Sequence, residues 1–448
     1  MHDLKLQLEP GALPRARQVL AEYLPGLDIG LDALDAPWAL LPASTAAALE
    51  IEYGEAGRRA ILHRAGVVTA VLVSDAESLA MREARTRAGP AAAPAAPAAA
   101  PPPPPGQRDW HLERTGVARA WALMNGPDQI AWGTVRVGHI DTGYTLHPAF
   151  GFPGAPWILQ ALAGTFFAPP ADPSQNDPGP GQGLDPLSFQ MDGHGTRTAS
   201  TICGHAPTAP QGGFYGVAPK VPLVPVRIAN HVAINHAQLE FAQAVRHLVE
   251  QCNVGVINVS LGVLTRLVGL PLPIQKELRR AIDLAYEAGV ILVCAAGQIV
   301  HDVVAPACLP RTIAVAGVVP RGPADWTFWS KSAHGPAVDM SGPADGVRRA
   351  SMLPGNQPEW TGTGDGTSYA TAITTGAAAL WLAHRGAEIA AAYAQPWQRV
   401  AAFRELVRST KQRPGVWQPG EFGTGVLDVH ALVTAPLPIG LVKEPAAA

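Results

Sequence analysis

Three short segments carry the residue types of nucleophilic acyl transfer, in the order acid, base, nucleophile. HIDTGY places Asp141 at the end of an apolar run, and DGHGTRTAS places His194 before a helix-like stretch. GDGTSYATAITTGAAALWLAH places Ser368 at the mouth of a long helix rich in small residues. A serine hydroxyl becomes nucleophilic beside a base, and an imidazole base needs a carboxylate to fix its tautomer. The helix after Ser368 adds a positive dipole end whose first N–H groups can face a developing oxyanion. Taken singly, each residue has a plainer reading: an Asp after a strand is a turn or cap residue, and a Ser before a helix is an N-cap. It is the set of three that points to a serine-dependent hydrolase.

These residues must be held at the ends of regular elements, and the chain supplies them. VRVGHI (135–140), VPLVPVRI (221–228), GVINVSL (255–261), VILVCAA (290–296) and TIAVAGV (312–318) are near-continuous Val/Ile/Leu runs. Such runs suit parallel strands buried on both faces. Residues 237–252 and 273–289 between them have the spacing of amphipathic helices. The alternation predicts an α/β fold with a doubly wound parallel sheet, whose sites lie beyond the strand carboxyl ends.

Ahead of this region, GPAAAPAAPAAAPPPPP (89–105) is unable to join a helix or sheet, because proline fixes φ and removes a donor. It reads as an extended linker over 89–106. Residues 1–88 before it read as a small α+β domain. LKLQLE alternates like a strand, ARQVLAEYL has helical spacing, LDIGLDAL, APWALLPA and VVTAVLVSD suit strands, and TAAALEIEY fits either helix or strand. A βαββαβ, ferredoxin-like order accommodates them. A large domain follows over 107–436, then a tail over 437–448.

With these motifs in place, the chain resembles the subtilisin-like serine proteases from Trp110 to roughly Ala435. The resemblance rests on Asp141 in DTG, His194 in HGT and Ser368 in GTSYA. It implies a subtilisin-type fold and an endopeptidase working through an acyl-enzyme, with peptide or protein as substrate. It also implies that WHLERTGVARAW (110–121) opens the mature enzyme and GTGVLDVHAL (423–432) closes it. Ser260, Leu261 and Gly262 would form the edge that pairs with an extended substrate. Ala295, Ala296 and Gly297, with VVAPA (303–307), would wall and floor a specificity pocket for an apolar residue before the cut. The N-terminal domain would be a propeptide that inhibits the enzyme, with Ala76–Arg87 in or near the active site.

Two positions depart from the family pattern. Gln298 stands where the family has an oxyanion-binding Asn, offering the same amide on a longer stem, and Ala372 replaces a common Pro. Gln298 keeps a second expectation open, a catalytically attenuated interaction protein on the same fold. No cofactor is required. The loop DPSQNDPGPGQGLDP (172–186) has oxygen ligands for structural calcium but lacks the spacing of a calcium loop.

Composition narrows the classes further. Hydrophobic types form 47% of the 448 residues and charged types 15%, too apolar for wholesale disorder. A net charge of -3 gives no basic footprint for nucleic acid. No run reaches the ~20 apolar residues needed to span a membrane. MHDLKLQLEP lacks a basic region followed by an apolar one, so the expected location is cytoplasmic unless a signal has been removed. Four scattered cysteines (Cys203, Cys252, Cys294, Cys308) read as free thiols.

Overall fold

Alternating apolar residues in the first part of the chain build a small antiparallel sheet in the computed structural model. There the structure describes residues 4–9, 12–23, 31–33, 38–41, 62 and 67–72. Beyond them it describes 108–447, apart from 167–182, 186, 188–190, 192, 211, 268, 269, 299, 323, 324 and 354–356. The first unit comprises β1 (Leu4–Leu8), α1 (Leu13–Tyr23), β2 (Asp32–Ala33), β3 (Trp38–Leu41) and β4 (Val67–Leu72). Their order in the sheet is β2-β3-β1-β4, every pair antiparallel. Leu6 and Leu8 fall on one face of β1 at period two, and Ala16, Val19 and Leu20 form one stripe of α1. All five are buried. The segment that fits either helix or strand (45–53), the linker and Ala76–Arg87 lie outside the described residues.

The second unit is laid down by the five Val/Ile/Leu runs. The strands of its main sheet are β5 (Val137–Asp141), β6 (Gly164–Thr165), β7 (Leu223–Arg227), β8 (Val256–Val259), β9 (Ile291–Ala295), β10 (Ile313–Arg321), β11 (Asp325–Phe328) and β12 (Met340–Pro343). They run in the order β11-β10-β9-β8-β5-β7-β6, with β12 also paired to β10. All pairs are parallel except β10 with β11.

Alternate residues explain the unbroken hydrophobicity. Val137, Val256, Ile291, Val293, Ile313 and Val315 face one helical layer, and Ile140, Ile257, Leu292, Cys294, Ala314 and Ala316 face the other. The first layer contains α2 (His194–Cys203) and α5 (Thr367–Ala392); the second contains α3 (Gln238–Glu250) and α4 (Lys276–Glu287). From β5 the chain passes to β7 on one side, and later to β8, β9 and β10 on the other. That reversal puts a topological switch beside β5, where α/β sheets bind ligands beyond their strand ends.

Helix α5 is buried all round over 367–382, where it lies in the core against β8, β9, β10 and β12. Gly376 makes that depth accessible: a Cβ there would meet Val217 Cβ at 2.6 Å. Among the described residues no helix is long and apolar enough to cross a membrane. The four cysteines are free, three of them buried. The C-terminal segment is fastened to this unit: Ala447 N–H donates to Asp283 Oδ1 at 2.9 Å, and Arg311 donates to the carbonyls of Glu444 and Pro445.

Candidate active site

Strand β5 delivers Asp141 at its carboxyl end, helix α2 starts with His194, and α5 starts one residue before Ser368. His194 Nδ1 lies 2.6 Å from Asp141 Oδ1, and His194 Nε2 lies 3.3 Å from Ser368 Oγ. The imidazole therefore bridges carboxylate and hydroxyl, with Nδ1–H donated to Asp141 and Nε2 left to accept a proton. Accessibility falls in the same sequence: Ser368 is 9% exposed, His194 5% and Asp141 0%. Ser368 and His194 meet the cleft, and Asp141 lies behind them.

Burial alone would push the Asp141 carboxyl up. The charge and hydrogen bond of His194, the nearby His139 and the Thr142 N–H more than offset it, and hold it below the usual carboxylate range. Thr142 N–H donates to Oδ1 at 2.8 Å, and Thr198 Oγ1 lies 3.2 Å from Oδ2. Behind Thr198, His139 Nε2 sits 2.9 Å from the same Oγ1. Burial brings the His139 pKa down to about 4, so at neutral pH this ring is uncharged and donates Nε2–H to Thr198. Its Nδ1 is buried without a hydrogen-bond partner among the described residues.

The turn ahead of His194 is pinned by Asp185. Its Oδ2 accepts from Thr142 Oγ1 at 2.9 Å and from Gly193 N–H at 2.8 Å, while Gly195 N–H donates to Thr142 Oγ1 at 3.0 Å. Gly195 must lack a side chain, since a Cβ would lie 2.0 Å from the Gly143 carbonyl oxygen. Asp185 belongs to the 172–186 loop; it is a buried acceptor, and burial raises its pKa. Residues 172–182 and 186 of that loop lie outside the described residues. Among the described residues no cluster of three or more His, Cys, Asp or Glu could hold a metal ion.

On the far side of Ser368, β8 and α5 are tied together by side chains. Thr375 Oγ1 donates to Asn258 Oδ1 at 3.0 Å, Asn258 Nδ2 donates to Ser260 Oγ at 3.0 Å, and Ser260 Oγ donates to the Ser368 carbonyl at 3.1 Å. Ser368 Oγ also lies 3.3 Å from the Ser260 carbonyl. Its single hydrogen thus serves either that oxygen or His194 Nε2.

A cleft of about 350 Å³ opens in front of the hydroxyl. Ser260, Leu261, Gly262, Ala295, Gly297, Gln298 and Val304 line it together with His194 and Ser368. Two expected pocket features are corrected. Ala296 does not line the cleft; it follows Ala295 along the backbone, so it faces the opposite layer and is fully buried. Ala305 and Ala307 are buried in that layer too, and the residue reaching the cleft is Val304. Its methyl groups lie 2.5 Å and 2.9 Å from where Cβ atoms on Gly262 and Gly297 would stand. Val304 therefore fills the slot between those two glycines.

Gln298 lines the same cleft as Ser368. Its Oε1 is buried without a hydrogen-bond partner among the described residues and lies 2.8 Å from where a Cβ on Gly366 would be. A half-turn about its last bond exchanges Oε1 for Nε2 and turns an N–H donor to the same place. Ser368 N–H is in the first turn of α5, where the helix has no earlier carbonyl to accept it. Within the 260–262 segment expected to pair with substrate, Gly262 N–H donates to the Val232 carbonyl and its own carbonyl accepts from Ile234 N–H, both at 2.8 Å. Thr198, His139, Asp185 and Asn258 support the site without having been singled out for it in the sequence. The i,i+4 step from His194 to Thr198 and the i,i+2 step from His139 to Asp141 were the available signals.

A hydroxyl, an imidazole and a buried carboxylate in this line can take a proton from oxygen and return it to a leaving group. Similarity to known proteins agrees with that chemistry. A model described as the subtilase family matches residues 133–425. Mycosin-1 of Mycobacterium tuberculosis is 28% identical over 75% of this chain and 75% of its own length. The major intracellular serine protease of Bacillus subtilis is 29% identical over 44% of this chain and 57% of its own length. Among solved structures, MycP1 with its N-terminal propeptide removed covers 74% of this chain and 98% of its own, at 24% identity and a TM-score of 0.53. A protease of Pseudoalteromonas arctica covers 73% and 96%, at 20% identity and a TM-score of 0.56.

Proposed function

The chain belongs to the subtilase family of serine endopeptidases, and on that premise we propose that Ser368, His194 and Asp141 are its nucleophile, general base and base-orienting carboxylate. The observation that carries this reading is the single imidazole spanning 2.6 Å to Asp141 and 3.3 Å to Ser368. Ser368 Oγ attacks the scissile carbonyl while His194 Nε2 takes its proton. The imidazolium, stabilised by Asp141, then gives that proton to the leaving amine. Water repeats the cycle on the acyl-enzyme. Ser368 N–H and the Gln298 amide hold the oxyanion, which they must approach within ~2.7–3.1 Å to be effective. Because Val304 occupies the slot beside Gly262 and Gly297, the residue before the cut is small and apolar.

The N-terminal α+β domain, residues 1–88, acts in this reading as an inhibitory propeptide removed by the enzyme itself. Support comes from its strand order and from the propeptide named for the MycP1 structure. The test compares intact masses of the purified chain and its Ser368→Ala variant after incubation. The reading expects a shortened product from the unaltered chain alone. Identical intact masses would refute self-processing, and hydrolysis of a peptide by Ser368→Ala at the unaltered rate would refute the nucleophile.

A further inference from the structure

A peptide lying extended against residues 260–262 makes its first main-chain pairing at Ser260 and the next at Gly262, since alternate residues of a strand face the same partner. The Ser260 carbonyl is next to Ser368 and becomes free when the hydroxyl turns to His194. Gly262 is different. Its N–H and its carbonyl are both used by Val232 and Ile234 in a parallel pairing. The closure continues one step further through a side chain. Asn235 Oδ1 accepts from Leu264 N–H at 3.0 Å, and Asn235 Nδ2 donates to the Leu264 carbonyl at 3.1 Å. Ile234 is fully buried beneath this contact. Val232 and Ala233 line the cleft beside Ser260, Leu261 and Gly262, so the paired segment stands where a longer substrate strand would go.

Resting on the peptidase reading above, we infer that residues 232–235 are this chain's own occupant of the substrate edge. They confine main-chain recognition before the cut to the residues beside Ser260 and Leu261. The third residue before the cut and those preceding it leave the surface without joining the sheet. Together with Val304 in the slot, this makes the enzyme a reader of the short sequence at the cut, with a small residue there, rather than of an extended strand. Four hydrogen bonds and a buried isoleucine hold the occupant, whereas an incoming peptide would offer only the two bonds at Gly262 in exchange.

The test uses the full chain in the form that accepts a fluorophosphonate at Ser368, and blocked alanine p-nitroanilides of one to four residues. Joining Gly262 at the third residue adds two main-chain bonds, which at ordinary strength raise kcat/KM roughly 5- to 150-fold. The inference expects a rise below about fivefold from two residues to four, and a rise at or above that figure overturns it. Hydrogen–deuterium exchange with a tetra-alanine aldehyde on Ser368 gives a second readout. Protection over 232–235 is expected to be unchanged, and faster exchange there on binding overturns the inference. No label at Ser368 and no turnover of any member would refute the peptidase reading itself, a result distinct from turnover with steep length dependence.

Discussion

Replacing Thr198 by valine tests whether the groups behind Asp141 contribute to turnover or only to folding. Thr198 Oγ1 has one hydrogen and three acceptors in reach, Asp141 Oδ2 at 3.2 Å, His194 O at 3.1 Å and Gly195 O at 3.3 Å. The carboxylate carries the charge, so it takes the hydrogen. A hydrogen bond to a charged group contributes about 1.5–3 kcal/mol net, and 3.2 Å is at the long end of the range, so the lower figure applies. Thr198→Val should therefore lower kcat roughly tenfold on a peptide substrate, with KM little changed. It also strands the buried His139 Nε2–H, which costs about 1–3 kcal/mol of stability. Adding His139→Leu removes that stranded donor, and Tm should then recover while kcat does not. The assay is steady-state kinetics beside thermal unfolding for the unaltered chain, each single variant and the double. An unchanged kcat with lowered Tm in Thr198→Val would refute the positioning role and leave a purely structural one.

The cleft and the core yield three more expectations. Val304→Gly should open the slot and raise the preference for leucine over alanine before the cut roughly 10- to 200-fold in kcat/KM; an unaltered preference would contradict Val304 as its limit. Gln298→Ala should lower kcat on peptides by ~10²–10³, the scale of loss when a subtilisin is deprived of an oxyanion donor, and Gln298→Asn should retain activity. A Gln298→Ala variant of full activity would remove Gln298 from the oxyanion site. Burial lowers the pKa of His111 to about 3 and of His139 and His147 to about 4. The unfolded chain protonates these rings near ~6.5, so it binds more protons than the folded chain below that pH. Stability should be full above about pH 6.5 and fall toward pH 4, by up to roughly 4 kcal/mol per pH unit where all three contribute. Denaturant midpoints that stay level between neutral and mildly acid buffer would contradict this.

Much of the sheet is legible in the sequence because a strand covered on both faces needs apolar residues at successive positions, as in residues 256–259 and 291–295. The triad is legible because each member sits at an element boundary marked by glycine. What stays hidden follows from treating motifs as contiguous blocks. In AAG, the strand's alternation sends Ala295 to the cleft and Ala296 to the opposite layer, and the same rule separates Val304 from Ala305. Thr198 and His139 obey visible periods, four along a helix and two along a strand, but a lone threonine or histidine carries no signal of its partner. The pairing of 232–235 with 262–264 is not legible. Nothing in NHVAIN announces hydrogen bonds to backbone groups some thirty residues later, because such long-range pairings depend on the sheet that brings the two segments together. Asp185 is hidden for a related reason: a glycine- and proline-rich stretch resembles an exposed loop even where one carboxylate turns inward to satisfy buried N–H groups.

If His194 and Asp141 make Ser368 a nucleophile, its hydroxyl must react with an electrophile that the other serines leave alone. Mass mapping after treatment with a fluorophosphonate tests it most directly, on the full chain and on the chain freed of residues 1–106. An adduct is expected on Ser368, formed far more slowly in His194→Ala and absent in Ser368→Ala. Failure to find an adduct on Ser368 in either form of the chain, or labelling undiminished in His194→Ala, would contradict it.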